Sequence, residues 1–386
     1  MSLDTLTGLL QDLIRIPSPN PPGETRAVAE FCEHFLQKAG FTTQLVAPDE
    51  RAWSVIGEIG NDDGPTIIYH AHIDTVPLGR NARWSYDPFA GEIDNGRIYG
   101  LGSVDDKAPL AAMLYAGSFL AERADDLHGR FVIVCAADEE VGGQLGTKWL
   151  ADNGYLPPAD FAVVGEQTHN RVATAHKGVL RAAFHVAGRT SHATDPWRGR
   201  NAINGMAHLI LDIERYQRDV LESRPHPLLG PASINVGLIE GGVGSNVVAD
   251  HCTIRVDRRM IPGEDPRVVM DELRALAAGR QAEDDERTYT VDSFLVSNWF
   301  ETDAENEYTQ RFLAISAELT ATPAEPIGYL PGSDAKHLVD VVTGGMVVFG
   351  PGSYQVAHST DEYTDVQELA ATGAILRRFL DQTLFQ

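Results

Sequence analysis

Short apolar, β-branched runs alternate along this chain with stretches of helical periodicity. Leu3 to Ile14 spaces its leucines and isoleucine like an amphipathic helix and stops at Ile16-Pro17, before a proline-rich loop from Ser18 to Gly23. Glu24 to Ala39 predicts a second helix, with Gly40 placed to cap it. Strands are expected near Thr42–Val46, Ser54–Ile59 and Thr66–Tyr69, then a long loop from Gly79 to Gly102 with a hairpin turn at Asp94-Asn95-Gly96. Lys107 to Glu122 predicts an alanine-rich helix, Phe131 to Ala136 a buried strand, Gly146 to Asp152 a helix and Phe161 to Val164 a strand. Runs that are apolar on both faces and separated by helices predict a mostly parallel sheet covered on both sides, an α/β architecture.

The texture changes after His176-Lys177-Gly178. Leu180–Val186 reads as a strand, Asn201–Leu221 as a long helix, Ser233–Glu240 and His251–Val256 as strands around a glycine-rich turn, and Pro266–Ala278 as a helix, with a last strand near Tyr289–Val291. That β-α-β-β-α-β order is the ferredoxin-like α+β pattern. It predicts a domain inserted at 179–291 into a catalytic domain made of 1–178 and 292–386. A helix at Glu305–Glu318, a strand at Met346–Phe349 and a closing helix at Asp365–Leu384 complete the outer part.

A length of 386 residues agrees with two domains. The net charge of −24 argues against nucleic acid, whose recognition needs clustered Lys and Arg. Cys32, Cys135 and Cys252 are far apart and odd in number, which predicts a reducing compartment. The opening residues lack the pattern of a secretion signal, and no run approaches the ~18 apolar residues of a membrane span, so a cytoplasmic location is expected.

The chemistry gathers at the ends of the expected strands. TIIYHAHIDTVP places His70, His72 and Asp74 at strand spacing on one face, and in such sheets sites form beyond the carboxyl ends of the strands. His-x-Asp is the form of a metal ligand with its orienting carboxylate. Asp105 in GLGSVDDKA, Glu139-Glu140 in CAADEE, Glu166 in VVGEQT and His358 in VAHSTDEY arrive from other strand ends. Two divalent ions sharing one carboxylate need such a set, plus one unligated acid to accept a proton from water.

In this order the motifs HIDTVP, GLGSVDDK, DEEVGG, GEQT, GRTSHATDPWRGRNAI, GGVGSNVV, VDRRM and AHSTDEY resemble the co-catalytic zinc amidohydrolases. That family includes acetylornithine deacetylase, succinyl-diaminopimelate desuccinylase, aminoacylase and glutamate carboxypeptidase. The motifs run from residue 70 to residue 363, nearly the whole chain. The resemblance implies two zinc ions, with cobalt as a substitute: His72 and Glu166 on one, Glu140 and His358 on the other, and Asp105 bridging. Asp74 would orient His72, Glu139 would be the general base and then acid, and Asp361 and Glu362 would support His358. His192 would reach the active site of a second subunit in a homodimer and polarise the scissile carbonyl. Arg259 would bind a substrate carboxylate, with Arg255 a weaker second and Arg258 on the opposite face; Asn246 would also touch substrate, as would Gly332 and Ser333 of the loop Gly332-Ser333-Asp334. His70 reads as structural. The family has Met or Leu after its bridging Asp and Gly after the Lys, where Asp106 and Ala108 stand here; Asp106 therefore competes with Asp105 as the bridge, and motif register favours Asp105.

The implied reaction is amide hydrolysis of an N-acyl amino acid. Acetylornithine deacetylation comes first, then desuccinylation or another deacylation, then a dipeptidase or carboxypeptidase. A non-enzymatic scaffold would be missing a ligand or the equivalent of Glu139, and none is missing. A serine hydrolase would need a G-x-S-x-G elbow, which is absent.

Overall fold

A computed structural model describes residues 3–79 and 82–385; residues 80 and 81 of the expected loop lie outside the described ones. The chain forms two compact units, one running to Ala175 and resuming at Glu301, the other His176–Phe300.

The first unit is built on a nine-stranded sheet. From one edge its order is Thr42–Val46, Ser54–Gly60, Arg130–Ala136, Thr66–His72, Phe161–Gly165, Met346–Phe349, Ala173–His176 and Phe300–Glu301, with Ile327–Tyr329 also pairing with Ala173–His176. Four neighbours at its centre, Arg130–Ala136, Thr66–His72, Phe161–Gly165 and Met346–Phe349, run parallel, while the first two strands and Ala173–His176 pair antiparallel. Ile67, Tyr69, Ile133, Val163 and Val347 pack with the apolar sides of Leu3–Ile14, Lys107–Gly117, Glu307–Thr320 and Val366–Leu384. Their alternates Ile68, Val132 and Val164 are equally buried, so both faces of the sheet are covered, as parallel strands require. In register, His72 lies beside Ala136, and Phe349 beside Gly165. The four strands thus end together, and the segments that follow them emerge at one edge.

The expected hairpin is present: Glu92–Asp94 and Arg97–Tyr99 pair across Asn95 and Gly96, whose φ values of 47° and 78° suit the Asn-Gly turn. Tyr363–Asp365, just before the helix expected from Asp365, adds a third strand to it. The helix expected over Lys107–Glu122 stops at Gly117 and is followed by a 3-10 segment, Leu120–Asp126.

The second unit is a four-stranded antiparallel sheet in the order Ser233–Gly241, His251–Met260, Gly178–Ala187, Thr288–Ser297, with helices Ala202–Tyr216 and Pro266–Glu283. This is the ferredoxin-like order. Leu180, Ala182, Phe184, Cys252, Ile254 and Val256 form its core with Leu209 and Leu273 of the helices. The long helix ends earlier than its periodicity suggests, in a π-helical turn at Gln217–Leu221. The last strand runs well past Val291, because its pairing with Gly178–Ala187 continues to Ser297. Among the described residues no helix is long and apolar enough to cross a membrane.

Candidate metal centre

His72 is the last residue of its strand and is buried. Its Nε2 lies 3.0 Å from Asp105 Oδ1, and the other carboxylate oxygen, Oδ2, lies 3.2 Å from Nε2 of His358. The same His358 nitrogen is 3.1 Å from Glu140 Oε2. Asp105 therefore presents one oxygen to each of two imidazoles. His72, Asp105 and Glu140 each offer a ligand atom within 4.8 Å of the other two.

Asp106 turns elsewhere. Its Oδ2 accepts the backbone N–H of His72 at 3.1 Å, and a Cβ on Gly165 would come within 2.8 Å of that atom. The two histidines converge on Asp105, the residue that motif register favours over Asp106.

Asp74 fixes the geometry from beneath. His72 Nδ1 is 3.0 Å from the main-chain oxygen of Asp74 and 3.5 Å from its Oδ1, so the shorter contact is to the carbonyl rather than the carboxylate. The carboxylate accepts the backbone N–H groups of Glu139 (3.2 Å) and Glu140 (3.3 Å), and Asn20 donates to it at 2.9 Å. One buried aspartate thereby ties the His72 strand end to the Glu139-Glu140 turn.

Charge in this cluster is out of balance. Burial and the charge of Asp105 push the Glu140 carboxyl up, and burial with Asp105, Asp106 and Glu139 pushes Glu166 well up. Hydrogen bonds to Asp105 and Glu140 hold His358 protonated to about 10, and bonds to Asp105 and Asp74 outweigh burial to raise His72. Two imidazole rings thus stand where carboxylates crowd, and Glu140 Oε1 is buried without a hydrogen-bond partner among the described residues. Imidazole nitrogens and carboxylate oxygens converging with an orphaned oxygen fit divalent cations of the zinc type.

The sequence pattern of peptidase family M20/M25/M40 matches residues 68–382. The chain belongs to this family. An acetylornithine deacetylase from Myxococcus xanthus is 30% identical over 98% of this chain and 97% of its own. A probable carboxypeptidase from Aspergillus terreus is also 30% identical, over 93% of this chain and 82% of its own. A dinuclear metal-binding M20 peptidase of Bacillus subtilis has the same fold, with a TM-score of 0.76 at 16% identity over 99% of this chain and 98% of its own. As an M20 hydrolase the protein is an enzyme acting on amide bonds.

Several residues around the M20 centre are not singled out by sequence. Glu166 Oε2 accepts from Gln167 Nε2 at 3.1 Å and lies 2.9 Å from the Tyr329 hydroxyl. Lys336 is buried, with Nζ 3.3 Å from Glu139 Oε1 and 3.6 Å from Asp334 Oδ1. Its signal was in view, two residues after the Ser333-Asp334 pair, but a lone Lys in a loop does not announce burial. Glu362, expected to support His358, turns instead to the loop holding Asp105, accepting the N–H groups of Gly102, Val104 and Asp105 at 3.1, 2.8 and 3.1 Å. Asp361 accepts from the backbone of Ser85 at 2.7 Å. Neither supports His358, because the turn after that residue carries both away.

His70 Nε2 lies 2.6 Å from Thr147 Oγ1, and burial lowers its pKa to about 4. Gly332 is exposed, whereas Ser333 is buried with its hydroxyl accepting from Ala335 N at 3.3 Å. In the second unit His192 and Asn246 are exposed neighbours: Ala193 N donates to Asn246 O at 3.0 Å, and His192 bridges Val247. Thr194 N donates to His192 Nδ1 at 3.2 Å, which places the proton of a neutral ring on Nε2. Arg259 pairs with Asp257 at 2.7 Å, while Arg258 points to the opposite face and pairs with Glu264 at 2.5 Å in the core.

Proposed function

We propose that the protein hydrolyses the amide bond of an N-acyl amino acid, with N-acetylornithine the first candidate, using two divalent cations, zinc or substituting cobalt. Asp105 carries this reading, since its two carboxylate oxygens face different imidazoles beside the Glu139-Glu140 pair. His72 and Glu166 would hold one cation, Glu140 and His358 the other, with Asp105 shared. Bound there, the cations supply Lewis acidity that polarises the amide carbonyl and eases loss of a proton from water. Glu139 takes that proton and returns it to the leaving nitrogen. His192, with its proton on Nε2, donates to the oxyanion from a second copy of the chain in a dimer. Arg259 would exchange Asp257 for the substrate carboxylate, and Asn246, Gly332 and Ser333 would contact substrate. All three cysteines are unpaired and buried, which accords with work in the reducing cytoplasm.

The carboxypeptidase relative favours a second reading at equal identity, cleavage of a peptide rather than an acyl group. Both are tested by metal analysis and by turnover of N-acetyl, N-succinyl and N-formyl amino acids and of dipeptides, with zinc, with cobalt and after chelation. Hydrolysis of acyl amino acids that chelation abolishes is the expected result. Turnover of dipeptides alone would select the second reading, and metal-independent turnover would overturn both.

A further inference from the structure

We propose that Lys336 is a positioning residue that aims Glu139, and that Asp334, Thr147 and His70 hold it in register. The inference rests on reading Glu139 as the base. The Lys336 ammonium sits between two carboxylates, 3.3 Å from Glu139 Oε1 and 3.6 Å from Asp334 Oδ1, with its side chain only 7% exposed. Burying an ammonium is costly unless opposite charges meet it, so its position is set by both partners.

Asp334 is itself fixed. Its Oδ2 accepts the Thr147 hydroxyl at 2.5 Å, and that oxygen lies 2.6 Å from Nε2 of His70, which is also 3.5 Å from Asp334 Oδ2. His70 stands one pleat before His72 on the central strand. Four segments, a strand, two helix starts and the Glu139 turn, therefore form one buried rank from the sheet to the base. With Oε1 engaged by Lys336, Oε2 of Glu139 is the atom that meets water. A base on a flexible stem gains rate from being held, because a small misplacement of a reacting group is costly.

The charge of Lys336 separates this role from simple packing. An ammonium beside the cluster opposes bound cations, so its removal leaves cation affinity unchanged or tighter, whereas loss of a mere scaffold loosens it.

The test uses Lys336→Met, Lys336→Arg and Asp334→Asn in the full-length enzyme, with the N-acyl amino acid turned over fastest in the screen above and Zn2+ titrated against a competing chelator. Lys336→Met should lower kcat about 100-fold with KM within about threefold, and bind Zn2+ at least as tightly as wild type. Lys336→Arg, which keeps the charge, should retain about a tenth of the rate or more, and Asp334→Asn should lose about tenfold if Lys336→Met does not fold. Wild-type kcat in Lys336→Met, equal losses in the Met and Arg variants, or weakened Zn2+ binding would each overturn the role. Glu139→Ala tells the two readings apart. If it stays active the base assignment fails, and if it is inactive while Lys336→Met is active only the positioning role fails. The Zn2+ titration needs no substrate, so weakened binding overturns the role even if the screen finds none.

Discussion

Asp74 shows how much can hang on one carboxylate. It holds Asn20 and the main chain of both Glu139 and Glu140, and its carbonyl oxygen meets His72. Asp74→Ala keeps that carbonyl but releases the Glu139-Glu140 turn and the Asn20 side chain, and should weaken cation binding about 10–100-fold. Competitive chelator titration would show it, and unchanged affinity would refute the argument. Glu139→Ala should behave differently, with kcat falling about 10²–10⁴-fold and two cations still measured by elemental analysis. His72, Asp105, Glu140 and His358 were legible because each follows a strand in a short motif with a chemical reason for its spacing. Lys336, Asn20 and Tyr329 were not, since what matters in them is a contact with a residue remote in the chain, Glu139, Asp74 and Glu166 respectively. Glu362 was misread for the opposite reason: nearness in sequence to His358 suggested a partnership that the turn between them prevents.

The turns that follow the central strands leave little room for variation. Gly146 enters the Thr147–Asp152 helix where an added Cβ would sit 1.7 Å from the carbonyl oxygen of Ala137. Gly146→Ala should destabilise the protein by several kcal/mol, on the order of 3 or more, since backbone rather than a flexible side chain must move. Thermal unfolding would measure it, and a melting temperature within a degree of wild type would contradict it. In the second unit Arg258→Ala strands Glu264 beside a fully buried gap and should cost about 3–5 kcal/mol. Periodicity located the longer strands and most helices, and missed the short strands such as Ala173–His176, Phe300–Glu301 and Ile327–Tyr329. It did not register the change of winding after Gly117 and after Tyr216, because hydrophobic spacing does not distinguish an α-helix from a 3-10 or π turn that continues it. Tyr363–Asp365 was equally hidden, being three residues long and defined only by its partner Arg97–Tyr99.

A chain of net charge −24 that gathers Asp105, Glu140 and Glu166 at one sheet edge gains stability from any cation it binds there. Stripping metal with a chelator should lower the melting temperature by several degrees, because a site filled at a thousand times its dissociation constant contributes about 4 kcal/mol. An identical melting curve would count against a bound cation. Assembly has its own test. Mixed His192→Ala and Glu139→Ala proteins, each inactive alone, should regain up to about a quarter of wild-type activity if a second copy completes the site, half the dimers then carrying one intact centre. No recovery would place His192 within its own chain or outside the chemistry.

The four central strands that lead to His72, Glu140, Glu166 and His358 come from distant parts of the chain, and His358, the last of the proposed ligands, is followed by a helix anchored where Tyr69 donates to the carbonyl of Leu376 at 2.8 Å. A nascent polypeptide still on the ribosome therefore owns Asp105, Glu140 and Glu166 long before it owns His358, the imidazole that would close the proposed cage. Cations held as proposed would be captured in full only once synthesis has passed His358 and the carboxyl-terminal helix can dock.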